Sequence, residues 1–178
     1  YQINEPHNIT YPDTLQSHLK RHIGKTEPLH NGMFVKPYKT KQFTGFVLKS
    51  VNDYDEHDLE QFLTLLSIVN CDIWNSELIQ ELKAEYRFYI LENEIIGYGR
   101  YDDGPDEWEM PDIEYVKQMI KDYYNSPIAY TLDVGVSSIG NVLIEANDAR
   151  AIGLYKGTMD IDSYVKFLDA RWKQIKND

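Results

Sequence analysis

The sequence lacks the residues that several common explanations would need. It has one cysteine, Cys71, in 178 residues, so no internal disulfide can form. Cys71 reads as a small apolar side chain in a reducing compartment. No apolar run approaches the length of a membrane span and no charged-then-apolar leader is visible, so a cytoplasmic location is the expectation. Positive charge is scarce: 18 Lys and Arg against 29 Asp and Glu give a formal net charge of −11. Neither nucleic acid nor an anionic membrane is then an expected partner, and any bound polyanion needs a local cluster of cations. The 10 glycines form no Gly-rich turn of the Rossmann or P-loop kind, which removes the commoner nucleotide-binding folds. His7, His18, His22 and His30 are irregularly spaced, have no cysteines beside them and read as surface side chains.

An apolar content of 42% indicates a folded chain, long enough for one domain or for two small lobes sharing a cleft. The most informative stretch is 131–147, TLDVGVSSIGNVLIEAN. Two apolar runs, 128–136 and 141–146, flank Ser137, Ser138, Ile139 and Gly140, the spacing of a tight hairpin. Asp133 sits inside the first run, and Glu145 and Asn147, two apart and on one face, end the second. Antiparallel pairing can gather these three oxygen-bearing side chains. Two acids side by side are costly without a cation, and such a set suits Mg²⁺ or Mn²⁺. The alternative is an exposed strand end followed by a turn.

A second stretch, 32–50, reads GMFVKPYKTKQFTGFVLKS. Residues 33–36 are strand-like, Pro37 stops them, and a polar loop containing Gly45 leads to a second strand at 46–49. Lys36 is a point charge at the end of an apolar strand, useful against phosphate oxygens, or else a solvated edge lysine. Residues 14–22 and 53–70 have helical spacing, and 72–77 a short strand. Residues 85–91 and 94–101 alternate and form a hairpin around Glu92 and Asn93. Arg87 lies among aromatics there and must face a cleft or pair with Glu85 or another sheet acid; Arg100 is a similar candidate. Residues 102–112 read as a solvated acidic loop, Pro111-Asp112 opens a helix, and 163–176 form a closing helix with Tyr164, Phe167, Leu168 and Trp172 inward.

The segment running from LDVGV to VLIEANDARAIGLY resembles the metal-binding end of the ATP-grasp fold, in the phage and bacterial clade named for two arginines and a lysine. Weaker similarity extends from about Phe34 to Arg171-Trp172. The resemblance implies an α+β architecture, two small, mainly antiparallel sheets with helices gripping a nucleotide. Residues 1–31 would be a connector from a preceding N-terminal lobe, 32–75 a small lobe and 76–178 a large one. It implies that Asp133, Glu145 and Asn147 hold Mg²⁺ (or Mn²⁺) against the phosphates of ATP. Lys36 matches the lysine that touches the α- and β-phosphates, and 38–45, with Lys39 and Lys41, the flap that closes over them. Arg87 would contact the γ-phosphate or the acyl phosphate formed from it, with Arg100 a weaker candidate. Residues 74–78, including Trp74, Glu77 and Leu78, match the segment that holds adenine through backbone atoms. The implied activity is ligation of a carboxylate, activated as an acyl phosphate, to an amine-type acceptor; a metabolite, a peptide and a protein tail all remain open as substrate, as does homo-oligomerisation. The rival readings are a nucleotide-binding or degenerate module without ligase activity, and a plain interaction domain. Replacing Lys36 or Arg87 is expected to weaken nucleotide binding without large loss of folding, and replacing Trp172 to destabilise.

Overall fold

The computed structural model describes residues 13–14, 33–38, 42–48, 55–58, 60, 64, 71–79, 81–104 and 110–177. Lys39, Lys41, most of the helical candidate at 14–22 and the apolar stripe of 53–70 lie outside them, as does the side chain of Glu77. The chain divides into two compact units, His7–Leu78 and Ile79–Asp178 with Tyr1–Pro6.

The first unit holds a four-stranded antiparallel sheet of β1 (Asp13–Thr14), β2 (Met33–Pro37), β3 (Phe46–Leu48) and β4 (Asp72–Glu77), in the order β1-β4-β2-β3. Val35, Leu48 and Ile73 are its buried apolar side chains among the described residues, and Ser76 is buried with them. Pro37 is the last residue of β2, where its missing N–H costs the ladder least. Thr14, the first residue of the helical candidate at 14–22, is in a strand instead, paired with Asp72; the rest of that candidate lies outside the described residues. Glu56, His57, Asp58, Glu60 and Thr64 are helical as their spacing predicts, and Asp55 Oδ1 accepts from Asp58 N at 2.7 Å, the bond of an N-cap.

The second unit is built on an antiparallel sheet of β5 (Leu82–Leu91), β6 (Glu94–Arg100), β7 (Ala129–Ser137) and β8 (Gly140–Asp148), in the order β6-β5-β7-β8. Both hairpins turn where the sequence places them. Glu92 and Asn93 take φ of 52° and 64°, the left-handed pair of a two-residue turn whose twist suits the strands. Ser138 and Ile139 make the other, with Ser137 Oγ donating to Gly140 O at 2.9 Å. One face of the sheet, carrying Phe88, Ile90, Leu132 and Val134, packs with Val116 and Ile120 of helix α1 (Ile113–Asp122). Asp112 caps that helix by accepting from Glu114 N at 2.9 Å. Near one end of the opposite face, Tyr89 and Ala129 join Phe167 of helix α2 (Ile161–Asn177). Trp172 departs from expectation: it is 47% exposed. The apolar positions of α2 span a wider arc than the face it buries, so Phe167 goes inward while Ile161, Val165 and Trp172 remain outside.

Candidate active site

Strand register lays two rows of residues across the face of the sheet opposite α1. One row runs Gly99, Arg87, Asp133, Glu145 and the other Gly97, Tyr89, Thr131, Asn147, each residue paired with the next on the neighbouring strand. The three side chains selected as metal ligands therefore meet, because β7 and β8 pair Asp133 directly with Glu145 and Thr131 with Asn147. Asn147 Nδ2 lies 2.9 Å from Glu145 Oε1 and 3.4 Å from Asp133 Oδ2.

Asp133 is fully buried, and its partner is Arg87. Arg87 Nε donates to Oδ1 at 2.7 Å and Nη2 to Oδ2 at 2.6 Å, the bidentate fork that matches guanidinium to carboxylate. The acid that pairs with Arg87 is thus 46 residues away and is itself one of the ligand candidates. Burial pushes the Asp133 carboxyl up to about 6; Arg87 pulls against that shift and Glu145 adds to it. Burial works against the charge on Arg87, yet the bond to Asp133 holds its pKa above the usual arginine value. Nη1 of Arg87 makes no hydrogen bond among the described residues.

Two tyrosines that sequence reasoning passed over complete the surroundings of Arg87. Its guanidinium carbon lies 5.3 Å from the Tyr101 ring centroid and 5.1 Å from that of Tyr155, and the rings stack on each other at 5.2 Å and 12°. Burial, the carboxylate of Asp133 and a hydrogen bond to Glu85 hold the Tyr101 hydroxyl protonated, its pKa well above the ordinary tyrosine value. An arginine alternating with aromatics was the available signal; the identity of the distant ring at 155 carried none.

The donor set fits a hard divalent cation. Two carboxylates and an amide can each give a cation an oxygen atom, and its charge would offset the burial that chiefly raises the Asp133 carboxyl and the smaller repulsion from Glu145 that adds to it. Thr131 Oγ1, buried beside them in the neighbouring row, has no hydrogen-bond partner among the described residues. No group of three His, Cys, Asp or Glu side chains gathers among the described residues; a cation held by two carboxylates and an amide would have coordination positions left for water or phosphate.

The other candidates are placed as follows. Lys36 is half-buried, pairs across the sheet with Trp74 and has no ion-pair partner among the described residues. Trp74 is half-buried against Tyr38, ring centroids 5.0 Å apart. Glu77 pairs with Met33 through the backbone, and Leu78 is half-buried just after β4. Arg100 gives Nε and Nη2 to Asp102, whose carboxylate also accepts from the backbone of Glu85 and Gly104. Asp102 is therefore a structural anchor, a correction to reading its loop as solvated charge, and the Arg100 pairing holds its carboxyl down at about 2.

A family model matches residues 2–175, that of the ATP-grasp domain, family 3 of the clade named for two arginines and a lysine. The chain belongs to that ATP-grasp family. Two antiparallel sheets with their helices agree with the fold of solved ATP-grasp ligases. The chain is similar to the ATP-grasp ligase PsnB complexed with minimal precursor, Mg and ADP, at 18% identity and a TM-score of 0.52, over 97% of this chain and 54% of that one. It is similar also to the D-alanine–D-alanine ligase from Bacillus anthracis complexed with ATP, at 15% identity and a TM-score of 0.55, over 98% and 60%. The chain thus spans little more than half the length of these ligases. No curated protein matches it. No helix among the described residues is long and apolar enough to cross a membrane.

Proposed function

We propose that this ATP-grasp domain binds Mg·ATP and serves an ATP-dependent ligase that activates a carboxylate as its acyl phosphate for attack by an amine-type acceptor. The observation that carries the reading is the cross-strand pairing of Asp133 with Glu145, with Asn147 in reach of both carboxylates. These three residues would hold Mg²⁺, which when bound neutralises charge on the phosphate oxygens and polarises them. The solved ligases complexed with Mg and ADP, and with ATP, are consistent with that cofactor.

In this reading Arg87 keeps Asp133 oriented through Nε and Nη2 and offers Nη1 to the phosphoryl oxygens. Lys36 supplies a point charge to the phosphates, on the resemblance of Val35-Lys36-Pro37 to the family's lysine. Residues 74–78 receive adenine through their backbone. The carboxylate oxygen attacks the γ-phosphorus, ADP leaves, and the amine then displaces phosphate from the acyl carbon. PsnB has been solved with precursor peptide PsnA2 and AMPPNP, which makes a peptide carboxylate the first substrate class to try.

Release of ADP on addition of Mg·ATP with a panel of carboxylates and amines tests the ligase, and calorimetry with Mg·ADP tests the grip. A second reading is a nucleotide-binding module without ligation of its own, which the gathering of Asp133, Glu145 and Asn147 supports as far as the nucleotide grip is concerned. Nucleotide binding without acceptor-dependent ADP release would favour it. Absence of any nucleotide binding would overturn both.

A further inference from the structure

The loop after β8 returns to the site by a route fixed from several sides. Tyr89 Oη donates to Gly153 O at 2.8 Å and accepts from Tyr155 N at 3.2 Å, so one hydroxyl holds the backbone on both sides of Leu154. Thr158 Oγ1 donates to Tyr155 O at 2.8 Å, and Thr158 itself is buried. Its seat is β6. A Cβ at Gly99 would stand 2.5 Å from Thr158 Cγ2, and one at Gly97 2.7 Å from Thr158 O, so the loop can lie on the strand only because two positions of one face carry no side chain. Gly99 is the register partner of Arg87. The seating delivers the Tyr155 ring to the stacked pair with Tyr101, against the guanidinium.

We infer that Tyr155, with Tyr101, is a positioning residue: the stacked rings fix the plane of the Arg87 guanidinium, so that its Nε–Nη2 edge stays on Asp133 while Nη1 is kept for the ligand. The inference rests on the nucleotide reading for the identity of that ligand, but the clamp itself does not. Bidentate bonding fixes one edge of a guanidinium and leaves the group free to tilt about that edge; an aromatic surface removes the tilt and favours the charge through the ring quadrupole. A protonated Tyr101 adds no charge of its own to compete with Asp133.

The test combines Mg·ADP calorimetry with ¹⁵N NMR of the Arg87 side chain on the whole chain. In the wild type the Nε–H resonance is expected to be sharp, slow to exchange and shifted by the ring currents of the two tyrosines. Tyr155→Phe keeps a ring and should preserve both the resonance and the affinity. Tyr155→Leu should lose the ring-current shift and weaken Mg·ADP about tenfold, the scale of a desolvated cation–π contact. Because Tyr155 is 37% exposed, the leucine variant is expected to fold. Should it not, Gly99→Ala gives a second route, since it displaces Thr158 and the loop, and the ring with them, while leaving the tyrosine itself unaltered. Three results overturn the inference: an unchanged Arg87 resonance in Tyr155→Leu, a changed resonance with unchanged affinity, or equal losses in the phenylalanine and leucine variants. If the wild type binds no Mg·ADP, the nucleotide reading fails, and the Arg87 resonance alone decides whether the clamp exists.

Discussion

Removing the Arg87 guanidinium leaves a buried carboxylate without its cation, and the consequence depends on pH. The Asp133 carboxyl is pushed up to about 6 in the folded chain, above its ordinary value. A raised carboxyl contributes stability that is fully present below the ordinary value and is lost as pH rises through the folded one. Arg87→Ala raises that carboxyl further, so its deficit against the wild type should be small near pH 5 and reach about 3 kcal/mol near pH 8, as for a buried pair broken on one side. Urea melts at the two pH values check it, and an equal deficit at both would mean that Asp133 is not the group concerned. This alters the expectation that Arg87, like Lys36, could be replaced without large loss of folding; Lys36→Ala still should fold normally. Glu145→Gln acts in the other direction. It removes a like charge from beside Asp133, so the apo protein should melt no lower than the wild type, while stabilisation by Mg·ADP should vanish with the lost anionic ligand. Lower apo stability with Mg·ADP stabilisation retained would make Glu145 a structural acid.

Elements were legible in the sequence to the extent that their signals are local. The strand readings around Lys36, Arg87, Asp133 and Glu145 agree with β2, β5, β7 and β8, because alternation and turn residues act within a few positions. Which acid meets Arg87 was not legible, since it depends on the register of β5 with β7, and a bulge after Asp133 shifts the pairing further along β8. The outward turn of Trp172 was hidden for a related reason: helical spacing shows that a stripe exists but not how much of it the rest of the chain covers. Trp172→Ala should accordingly cost less than about 1 kcal/mol, whereas Phe167→Ala, fully buried against Tyr89, should cost about 3–4 kcal/mol. Comparable losses would place the indole in a contact it does not make here. At the far end of β6, Asp102 ties Arg100 to the backbone of Glu85 and Gly104. Its lowered carboxyl contributes stability above the ordinary value that is lost as pH falls toward about 2. Asp102→Asn should cost about 1 kcal/mol at neutral pH after solvent screening and flatten the acid limb of the stability curve.

For the molecule as a whole, a net charge of −11 opposes the approach of free nucleotide. Binding of ADP should therefore depend on Mg²⁺, and calorimetry in excess chelator should show at least tenfold weaker affinity; equal affinity would remove the metal from the account. The family and fold were legible because the short run from Asp133 to Asn147 carries chemistry and topology together. Tyr155 was not legible because nothing in its own neighbourhood points to a guanidinium 68 positions earlier. The tether that places it has a consequence for motion. Tyr89 holds the loop with its hydroxyl and packs its ring edge-on against Phe167 at 5.6 Å. Lifting the loop therefore breaks a bond whose other end is anchored in the core under α2. The Tyr155 amide should then exchange with deuterium at the rate of the strands and not at that of an ordinary surface loop, so that a single proton reports how often the site comes apart.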